Sequence, residues 1–324
     1  MTDPRFLHTA SVLTTGDVLI IGGASNSHLL SSTELYNPSR ESWITVAHMK
    51  YARQQHTASV LTDSQVLIAG GSDGNVLKSV ELYDLSKKTW TTMESMKTAR
   101  YYHTASVLPK GRVLVTGGNS ADDFLSSTEL YDPSSRTWTT TNSMKNARSY
   151  HTASVLPNGK LLVTGGRNAT SCLNSAELYD PLTQTWSLTG EMSHARYLHT
   201  ASVLTNGKVL ITAGFNDIGY LTSAELYDPS TGTWIATGHI NQGRCMHTAT
   251  VLKNGKVLIT GGTHLDSLNS AELYDPSTGV WTKVDNMNVA RAEHTASLLH
   301  DGKILITGGL NDNGALNSTE LWTI

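Results

Sequence analysis

The sequence predicts an all-β fold, a seven-bladed β-propeller of four-stranded antiparallel blades. Three observations predict it: a motif that recurs seven times, four strand-like segments in each copy, and turn signals between those segments. Only 16% of the side chains are charged, and the long stretches between prolines are rich in Thr, Ser, Val, Leu and Gly, which favours strands and tight turns. We expect one domain over residues 1–324, made of seven repeats of 47 or 48 residues.

The repeat begins with the tetrapeptide His-Thr-Ala-Ser/Thr, at His8, His56, His103, His151, His199, His247 and His294. Each copy continues to a pair of glycines, replaced by Ala213-Gly214 in the fifth copy, and then to a Glu-Leu segment. We name the four predicted strands A (His-Thr-Ala-Ser-Val-Leu), B (Val-Leu-Ile-Thr-Gly-Gly), C (Ala-Glu-Leu-Tyr-Asp) and D (Thr-Trp and its followers). One such sheet cannot bury both faces alone, so seven are expected to stack in a ring.

Turn signals separate the strands. Between A and B, dipeptides such as Asn158-Gly159 predict two-residue hairpin turns, and between C and D the segment from Asp228 to Gly232 is another turn signal. The last copy stops at Glu320-Leu321-Trp322-Thr323-Ile324 without a D segment, and residues 1–7 are too short to supply one. We therefore expect one three-stranded blade, whose free edge could pair with another chain.

The glycine pair, the Tyr and the Trp at fixed offsets resemble the kelch repeat, over essentially the whole chain. In that family strand A lines the central channel and strand D forms the rim, and the resemblance to kelch adaptors implies a binding module. The side chains that recur in register predict the framework, with Tyr and Trp in the core between blades and Arg paired with Glu. The recurring pair is formed by Arg5, Arg53, Arg100, Arg148, Arg196, Arg244 and Arg291 with Glu34, Glu81, Glu129, Glu177, Glu225, Glu272 and Glu320.

The repeats disagree at one end of the predicted blades, where the D-to-A connections and B-to-C loops emerge. The two positions between the framework Arg and His differ in every copy, from Phe6-Leu7 to Ala292-Glu293. All three Phe and the six Tyr outside the framework fall in these two segment types, which is typical of a recognition surface. We expect its centre over blades three to five. The candidate binding residues are Phe6, Gln54, Gln55, Tyr101, Tyr102, Phe124, Tyr150, Arg167, Tyr197, Phe215, Tyr220, Met246 and Glu293.

Three functions are open at this point. The first is a non-catalytic scaffold that recognises a protein or peptide segment on this face, and the second is a lectin-like propeller whose tyrosines stack on sugar rings. The third is an oxidoreductase or hydrolase that uses acids such as Asp122 and Asp266 with His28 and His264, although these residues are scattered over different blades. We expect no cofactor and no metal, and Asn311-Asp312-Asn313-Gly314 is interpreted as a turn rather than a calcium loop.

The resemblance extends to the galactose oxidase propeller, a copper enzyme. Ser149-Tyr150-His151 looks like its copper-binding Tyr-His pair, and Cys245 occupies a position similar to that of its cross-linked Cys. However, Ala292-Glu293 stands where the partner Tyr would be needed, so a copper site is not expected. The seven repeated His residues share one context, always before Thr-Ala, which indicates a structural hydrogen bond in each blade.

Charge and composition exclude several partners. The net charge is −3 and no Lys/Arg run could neutralise successive phosphates, so nucleic acid is not expected. The apolar runs are of strand length, and the first residues lack an apolar signal-peptide core, so no membrane contact is expected and a cytoplasmic location is favoured. Two cysteines are compatible with a reducing compartment. We expect a monomer, apart from pairing at the free edge.

Overall fold

A computed structural model describes residues 1–62 and 65–323 and contains seven radially arranged sheets, the predicted blades. Blades 1 to 6 are four-stranded antiparallel meanders in the order A-B-C-D. Blade 7 has strands A, B and C within the described residues. The all-β, seven-bladed prediction is confirmed. In the described part of the chain, no helix is long and apolar enough to cross a bilayer.

The strands are short and recur at the predicted places. The A strands are Thr9–Val12, Thr57–Thr62, Thr104–Val107, Thr152–Val155, Thr200–Val203, Thr248–Val251 and Thr295–Leu298. The B strands are Val18–Ile21, Gln65–Ala69, Val113–Thr116, Leu161–Thr164, Val209–Thr212, Val257–Thr260 and Ile304–Thr307. The C strands are Thr33–Asn37, Val80–Asp84, Thr128–Asp132, Ala176–Asp180, Ala224–Asp228, Ala271–Asp275 and Thr319–Trp322. The D strands are Ser42–Val46, Thr89–Thr92, Thr137–Thr140, Thr185–Leu188, Thr233–Thr237 and Val280–Val284.

Three B-to-C loops contain a small two-stranded hairpin of their own. These are Phe215–Asn216 with Gly219–Tyr220, Thr263–His264 with Asp266–Ser267, and Leu310–Asn311 with Gly314–Ala315. A 3-10 turn, Pro109–Gly111, joins strands A and B of blade 3. The segment interpreted as a turn rather than a calcium loop lies in the third of these hairpins, where the Asn313 N–H donates to Asn311 Oδ1 at 2.9 Å.

The A-to-B turns differ from the prediction. In blade 4 the Leu156 N–H donates to Lys160 O at 2.8 Å and the Gly159 N–H donates to Leu156 O at 2.9 Å. The loop therefore contains three residues rather than two, and within the dipeptide only Gly159 has a positive φ, of 82°. A two-residue type I′ turn needs a positive φ at both central residues, whereas a three-residue loop needs it only at the last. The prediction of two-residue turns was wrong for this reason.

The core lies between neighbouring blades. Every side chain of strand B in blade 1, Val18–Ile21, is fully buried, because the blades on both sides cover its two faces. One cluster joins Leu67 and Val80 of blade 2 to Tyr131 and Trp138 of blade 3. Tyr on strand C faces Trp on strand D in each complete blade, with ring centroids 4.9 to 5.1 Å apart. These aromatic pairs form the predicted framework.

A buried Arg–Glu pair fastens each D-to-A connection to the blade that it enters. In blade 4 Arg148 Nη2 lies 2.8 Å from Glu177 Oε1, and Arg148 Nη1 donates to Gly165 O at 2.7 Å. Glu177 accepts two further N–H groups from the connection itself. All seven predicted pairs form, with N–O distances of 2.8 to 3.3 Å and no exposure of the Arg side chains. Because every charge is paired and hydrogen-bonded, its burial is tolerated.

The ring closes between blade 7 and blade 1. Their A strands are neighbours, like the A strands of every other adjacent pair of blades. Residues 1–5 take the position that a D-to-A connection occupies elsewhere: the Arg5 N–H donates to Leu316 O, and the Gly309 N–H donates to Arg5 O at 2.8 Å. The amino group of Met1 lies 3.4 Å from Asn317 O. The seventh junction is thus held by the same backbone contacts as the other six, but within residues 1–62 and 65–323 no chain connection crosses it.

Candidate functional site

The D-to-A connections and B-to-C loops share one end of the ring, which we call the loop face. In each blade the residue after the framework Arg forms an antiparallel bridge with the residue after the glycine pair. The seven bridges are Phe6 with Ala24, Gln54 with Ser72, Tyr101 with Asn119, Ser149 with Arg167, Tyr197 with Phe215, Cys245 with Thr263 and Ala292 with Leu310. The variable segments therefore lie side by side, as the repeat comparison predicts.

The glycine pair makes this close approach possible. Gly165 and Gly166 of blade 4 have φ values of 61° and 92°, in the left-handed region. A Cβ on either residue would lie 2.6 Å from a backbone oxygen, that of Arg196 for Gly165 and that of Ser149 for Gly166. Glycine is required here because the backbone of the loop packs directly against the connection.

The residue before each framework His forms a second, inner row. We call it the mouth ring: Leu7, Gln55, Tyr102, Tyr150, Leu198, Met246 and Glu293, which have φ values between 50° and 56°. Six of these residues donate their backbone N–H to the carbonyl oxygen of the mouth-ring residue in the preceding blade, at 3.1 to 3.4 Å. Between Gln55 and Tyr102 the contact is a side-chain hydrogen bond, in which Gln55 Nε2 donates to Tyr102 Oη at 2.6 Å. The mouth ring therefore encircles the end of the channel that strand A lines.

Six aromatic side chains form one continuous row across blades 3, 4 and 5. We call this the aromatic row. Its successive ring centroids are 5.3 Å (Tyr101 to Tyr102), 3.9 Å (Tyr102 to Tyr150), 6.0 Å (Tyr150 to Tyr197), 5.8 Å (Tyr197 to Phe215) and 4.9 Å (Phe215 to Tyr220) apart. The imidazole of His264 in blade 6 extends it, 4.9 Å from Tyr220. All six rings are partly exposed, so the row lies at the surface rather than in the core.

Arg167 lies beside the aromatic row on the B-to-C loop of blade 4. Its guanidinium carbon is 5.5 Å from the centroid of Tyr197 and 6.0 Å from that of Phe124. The side chain is exposed, so its N–H groups can reach an acceptor on a bound molecule. Cation–π contacts of this kind hold a guanidinium in place while its charge stays available.

Glu293 is the acidic member of the mouth ring. Burial raises its pKa from 4.5 to about 7. Burial is also the main cause of the raised pKa values of Tyr102 and Cys245, and the charge of Glu293 contributes to both. The carboxyl group of blade 7 is therefore close enough to act on side chains of blades 3 and 6, at the mouth of the channel.

The structure thus divides the predicted site residues into three groups. Tyr101, Tyr102, Tyr150, Tyr197, Phe215 and Tyr220 form the aromatic row, and Phe124 joins it through Arg167. Gln55, Met246 and Glu293 belong to the mouth ring, together with Tyr102 and Tyr150. Phe6 and Gln54 lie in bridges of blades 1 and 2, apart from the row. The predicted binding residues did not include Leu7, Leu198 and His264, although His264 was considered for catalysis. The position directly before each framework His was the available signal for Leu7 and Leu198.

Comparison with known proteins places the chain in a family. A family model described as the KLHDC2/KLHL20/DRC7 Kelch-repeats domain matches residues 103–309, and a Kelch motif model matches residues 55–97. The chain belongs to the kelch-repeat family. A kelch propeller is typically a protein-binding domain. The search of curated proteins found no match.

Comparison with solved structures shows a similar fold over the whole chain. A novel fungal alcohol oxidase of the AA5 family, in complex with copper, is similar to this chain with a TM-score of 0.81 and 20% sequence identity. The match covers 100% of this chain and 75% of that chain. At this identity the likeness concerns the propeller fold alone.

The kelch histidines are engaged in the framework rather than presented at the mouth. In each blade His Nε2 lies 2.9 to 3.1 Å from Oγ1 of the first strand-A Thr in the preceding blade, and the series closes with His8 and Thr295. The predicted structural hydrogen bond is present, and it joins two blades instead of lying within one. Burial lowers the pKa of all seven imidazoles far below 6.5, so they are neutral at pH 7.

The donor set does not fit copper. His151 lies in this buried series, 3.0 Å from Thr104 Oγ1, and Cys245 is buried next to the mouth ring, where Glu293 replaces the Tyr that the resemblance requires. Within residues 1–62 and 65–323, no group of three or more His, Cys, Asp or Glu side chains could hold a metal ion. The Tyr-His pairs therefore belong to the framework and the aromatic row, and no reaction step follows from them.

Proposed function

We propose that this kelch propeller is a binding module that holds an extended protein or peptide segment across the loop face. The observation that carries the proposal is the aromatic row, six contiguous and partly exposed rings that no core requires. Rigid aromatic side chains provide large contact area at low entropic cost, and they dominate the energetics of many interfaces. The row crosses three blades, which suits an extended ligand.

Two charged or ionisable side chains at different places on the loop face give a bound ligand a preferred direction. Arg167 offers a cation beside Tyr197, and Glu293 offers a carboxyl group at the mouth ring. A ligand that matches both would carry an acidic or carbonyl group over blade 4 and a basic group over the channel mouth. Direct hydrogen bonds to charged side chains fix the orientation of a ligand more than they add affinity.

The form of the aromatic row suits an extended ligand. Its rings make one continuous surface, with successive centroids 3.9 to 6.0 Å apart. Small-molecule sites are usually concave pockets, whereas peptide segments bind along shallow grooves with a few anchoring side chains.

A selection experiment tests the proposal. A peptide display library is selected against the wild-type protein, and the affinity of enriched peptides is measured by calorimetry for wild type, Tyr197→Ala and Arg167→Ala. We expect each substitution to weaken binding about tenfold or more, as for interface anchors. The matched control is Asn206→Ala on the opposite face, which should leave the affinity unchanged.

Two results would contradict the proposal. One is enriched peptides whose affinity responds to Asn206→Ala and not to Tyr197→Ala. The other is the absence of any enriched peptide while a glycan array gives binding that is lost in Tyr102→Ala and Tyr150→Ala, which would establish the lectin-like role instead.

A further inference from the structure

The two halves of the loop face differ in charge. In six D-to-A connections one backbone N–H donates to the framework Glu of the next blade at 2.7 to 2.8 Å, so these six positions are equivalent. The residues there are Lys50, Lys97 and Lys145 before blades 2 to 4, and Ser193, Asn241 and Asn288 before blades 5 to 7. All six side chains are exposed. Blades 2 to 4 therefore present a lysine where blades 5 to 7 present a neutral side chain.

The B-to-C loops of blades 5, 6 and 7 supply negative charge to their half. We call residues 214–223, 262–270 and 309–318 the acidic half, because each of these loops has an exposed aspartate and none contains Lys or Arg. The three aspartates are Asp217, Asp266 and Asp312. The framework Arg residues of the adjoining connections are fully buried against their Glu partners. The carboxylates of the acidic half are thus available to a cation on a bound molecule.

Two aliphatic side chains project into water from neighbouring hairpins of the acidic half. Ile218 in blade 5 is 82% exposed, and Leu265 in blade 6 is 81% exposed. Their hairpins contact each other, since the rings of Tyr220 and His264 are 4.9 Å apart. Single exposed apolar side chains are common on protein surfaces. Two of them on adjacent hairpins, at the end of a row of six aromatic rings, instead extend one apolar surface.

Leu265 is disfavoured by its backbone as well as by water. Its φ is 66°, in the left-handed region. In the corresponding hairpins of blades 5 and 7 the residue with positive φ is a glycine, Gly219 or Gly314. A bulky side chain is rare in this conformation, whereas glycine adopts it without strain. Neither packing nor turn geometry requires a leucine here, which points to a contact with a bound molecule.

We propose that the acidic half, with Ile218 and Leu265, binds a part of the peptide ligand in which a Lys or Arg adjoins an aliphatic residue. This inference rests on the proposed function, because the aromatic row reaches the acidic half at Tyr220. The aliphatic side chain of the ligand packs on Ile218 and Leu265. Its basic neighbour pairs with Asp217 or Asp266, which are adjacent in sequence to those two residues.

Charge complementarity favours this occupant over others. Carboxylates attract a basic peptide and repel phosphate groups, so a nucleic acid or an anionic lipid surface does not match the acidic half. The aromatic row runs from blade 3, in the half that carries the lysines, to blade 5 in the acidic half. A segment bound along it would therefore have its basic and aliphatic residues over blades 5 and 6 and its acidic residues over blades 2 to 4.

Peptide selection followed by calorimetry tests the inference. A phage library of random ten-residue peptides is selected against the full 324-residue chain, and we expect enriched peptides in which Lys or Arg adjoins Leu, Ile, Val or Met. Synthetic copies of these peptides are then titrated into wild type, Leu265→Gly and Asp217→Asn/Asp266→Asn. Each variant should bind at least about tenfold more weakly than wild type.

Three controls separate binding from folding and from general charge effects. Leu265→Gly relieves the positive φ, so its melting temperature should equal or exceed that of wild type while binding is lost. Asp122→Asn changes an exposed carboxylate on the B-to-C loop of blade 3 and should alter the affinity by less than about twofold. Asp217→Lys/Asp266→Lys should bind a peptide whose basic residue is replaced by Glu at least about tenfold more tightly than wild type does.

The possible results distinguish this inference from the proposed function. Peptides that lose affinity with Tyr197→Ala, but not with Leu265→Gly or the paired Asp substitutions, would overturn the inference and leave the proposed function standing. Enriched peptides without a basic residue beside an aliphatic one would do the same. Affinity lost with Leu265→Gly and not with Tyr197→Ala would support the acidic half and remove the aromatic row as the anchor.

Two further results would also overturn the inference. If no peptide is enriched, both the proposed function and the binding of a basic segment fail. If sedimentation shows a wild-type dimer that Leu265→Gly dissociates, a second copy of the chain covers Leu265 instead of a basic peptide.

Discussion

Glu293 is predicted to destabilise the folded protein as the pH rises. Burial raises its pKa from 4.5 to about 7, so ionisation of the carboxyl group is about 3 kcal/mol less favourable in the folded protein than in the unfolded chain. Below pH 4.5 the group is protonated in both states and contributes no difference. Between pH 4.5 and 7 the unfolded chain releases the proton first, so the folded state binds more protons and stability decreases with rising pH.

The perturbation is Glu293→Gln, which keeps the shape of the side chain and removes its titration. Relative to wild type, the free energy of unfolding of the variant should rise by up to about 3 kcal/mol between pH 4.5 and pH 8, nearly all of it below pH 7.5. The assay is urea unfolding, followed by tryptophan fluorescence at several pH values. Glu94→Gln, at an exposed carboxylate, is the control for amide substitution itself.

Two outcomes would refute this reasoning. The first is a stability difference between wild type and Glu293→Gln that stays constant from pH 4.5 to pH 8. The second is a difference of opposite sign, in which the variant loses stability relative to wild type as the pH rises. Either outcome would mean that the carboxyl group finds a cationic partner or water in the mouth ring.

Three further predictions concern the framework and the thiols. Ala213 is buried with a φ of 58°, where the other complete blades have glycine, so Ala213→Gly should raise the free energy of unfolding by about 1 kcal/mol in urea denaturation. Arg148→Met should lower it by about 3–5 kcal/mol because Glu177 is left buried and unpaired, whereas Arg148→Met/Glu177→Leu should cost far less. Cys172 is partly exposed, while burial raises the pKa of Cys245 to about 12, so a disulfide reagent should label Cys172 in the native protein and Cys245 only after unfolding.

The fold could be predicted from the sequence because all seven repeats indicate the same four-stranded unit. A residue that recurs in register, such as Tyr179 or Trp186, is assigned to the framework without knowledge of its contacts. The turn at Asn158-Gly159 could not be assigned in the same way, since a two-residue turn and a three-residue loop ending in glycine share that dipeptide.

The sequence predicted which end of the ring carries the candidate site, but not how the side chains are arranged there. Tyr101 and Tyr102 are adjacent in sequence and equally variable, yet one lies in a bridge and the other in the mouth ring. The effect of Glu293 on Tyr102 depends on the curvature of the ring, which brings blade 7 toward blade 3 across the channel. The sequence pattern of a single repeat does not reveal that Glu293 and Tyr102 lie near each other.

The junction between blades 7 and 1 has a mechanical consequence. Six junctions are crossed by the chain, but this one is held by contacts of residues 1–5, such as the hydrogen bond from the Gly309 N–H to Arg5 O. If residues 1 and 323 were pulled apart in an optical trap, the load would fall first on the contacts between blades 7 and 1, because hydrogen bonds can separate there without stretching a peptide bond. The ring would then open between blades 7 and 1, and the blades next to this junction would unfold before those on the opposite side of the ring.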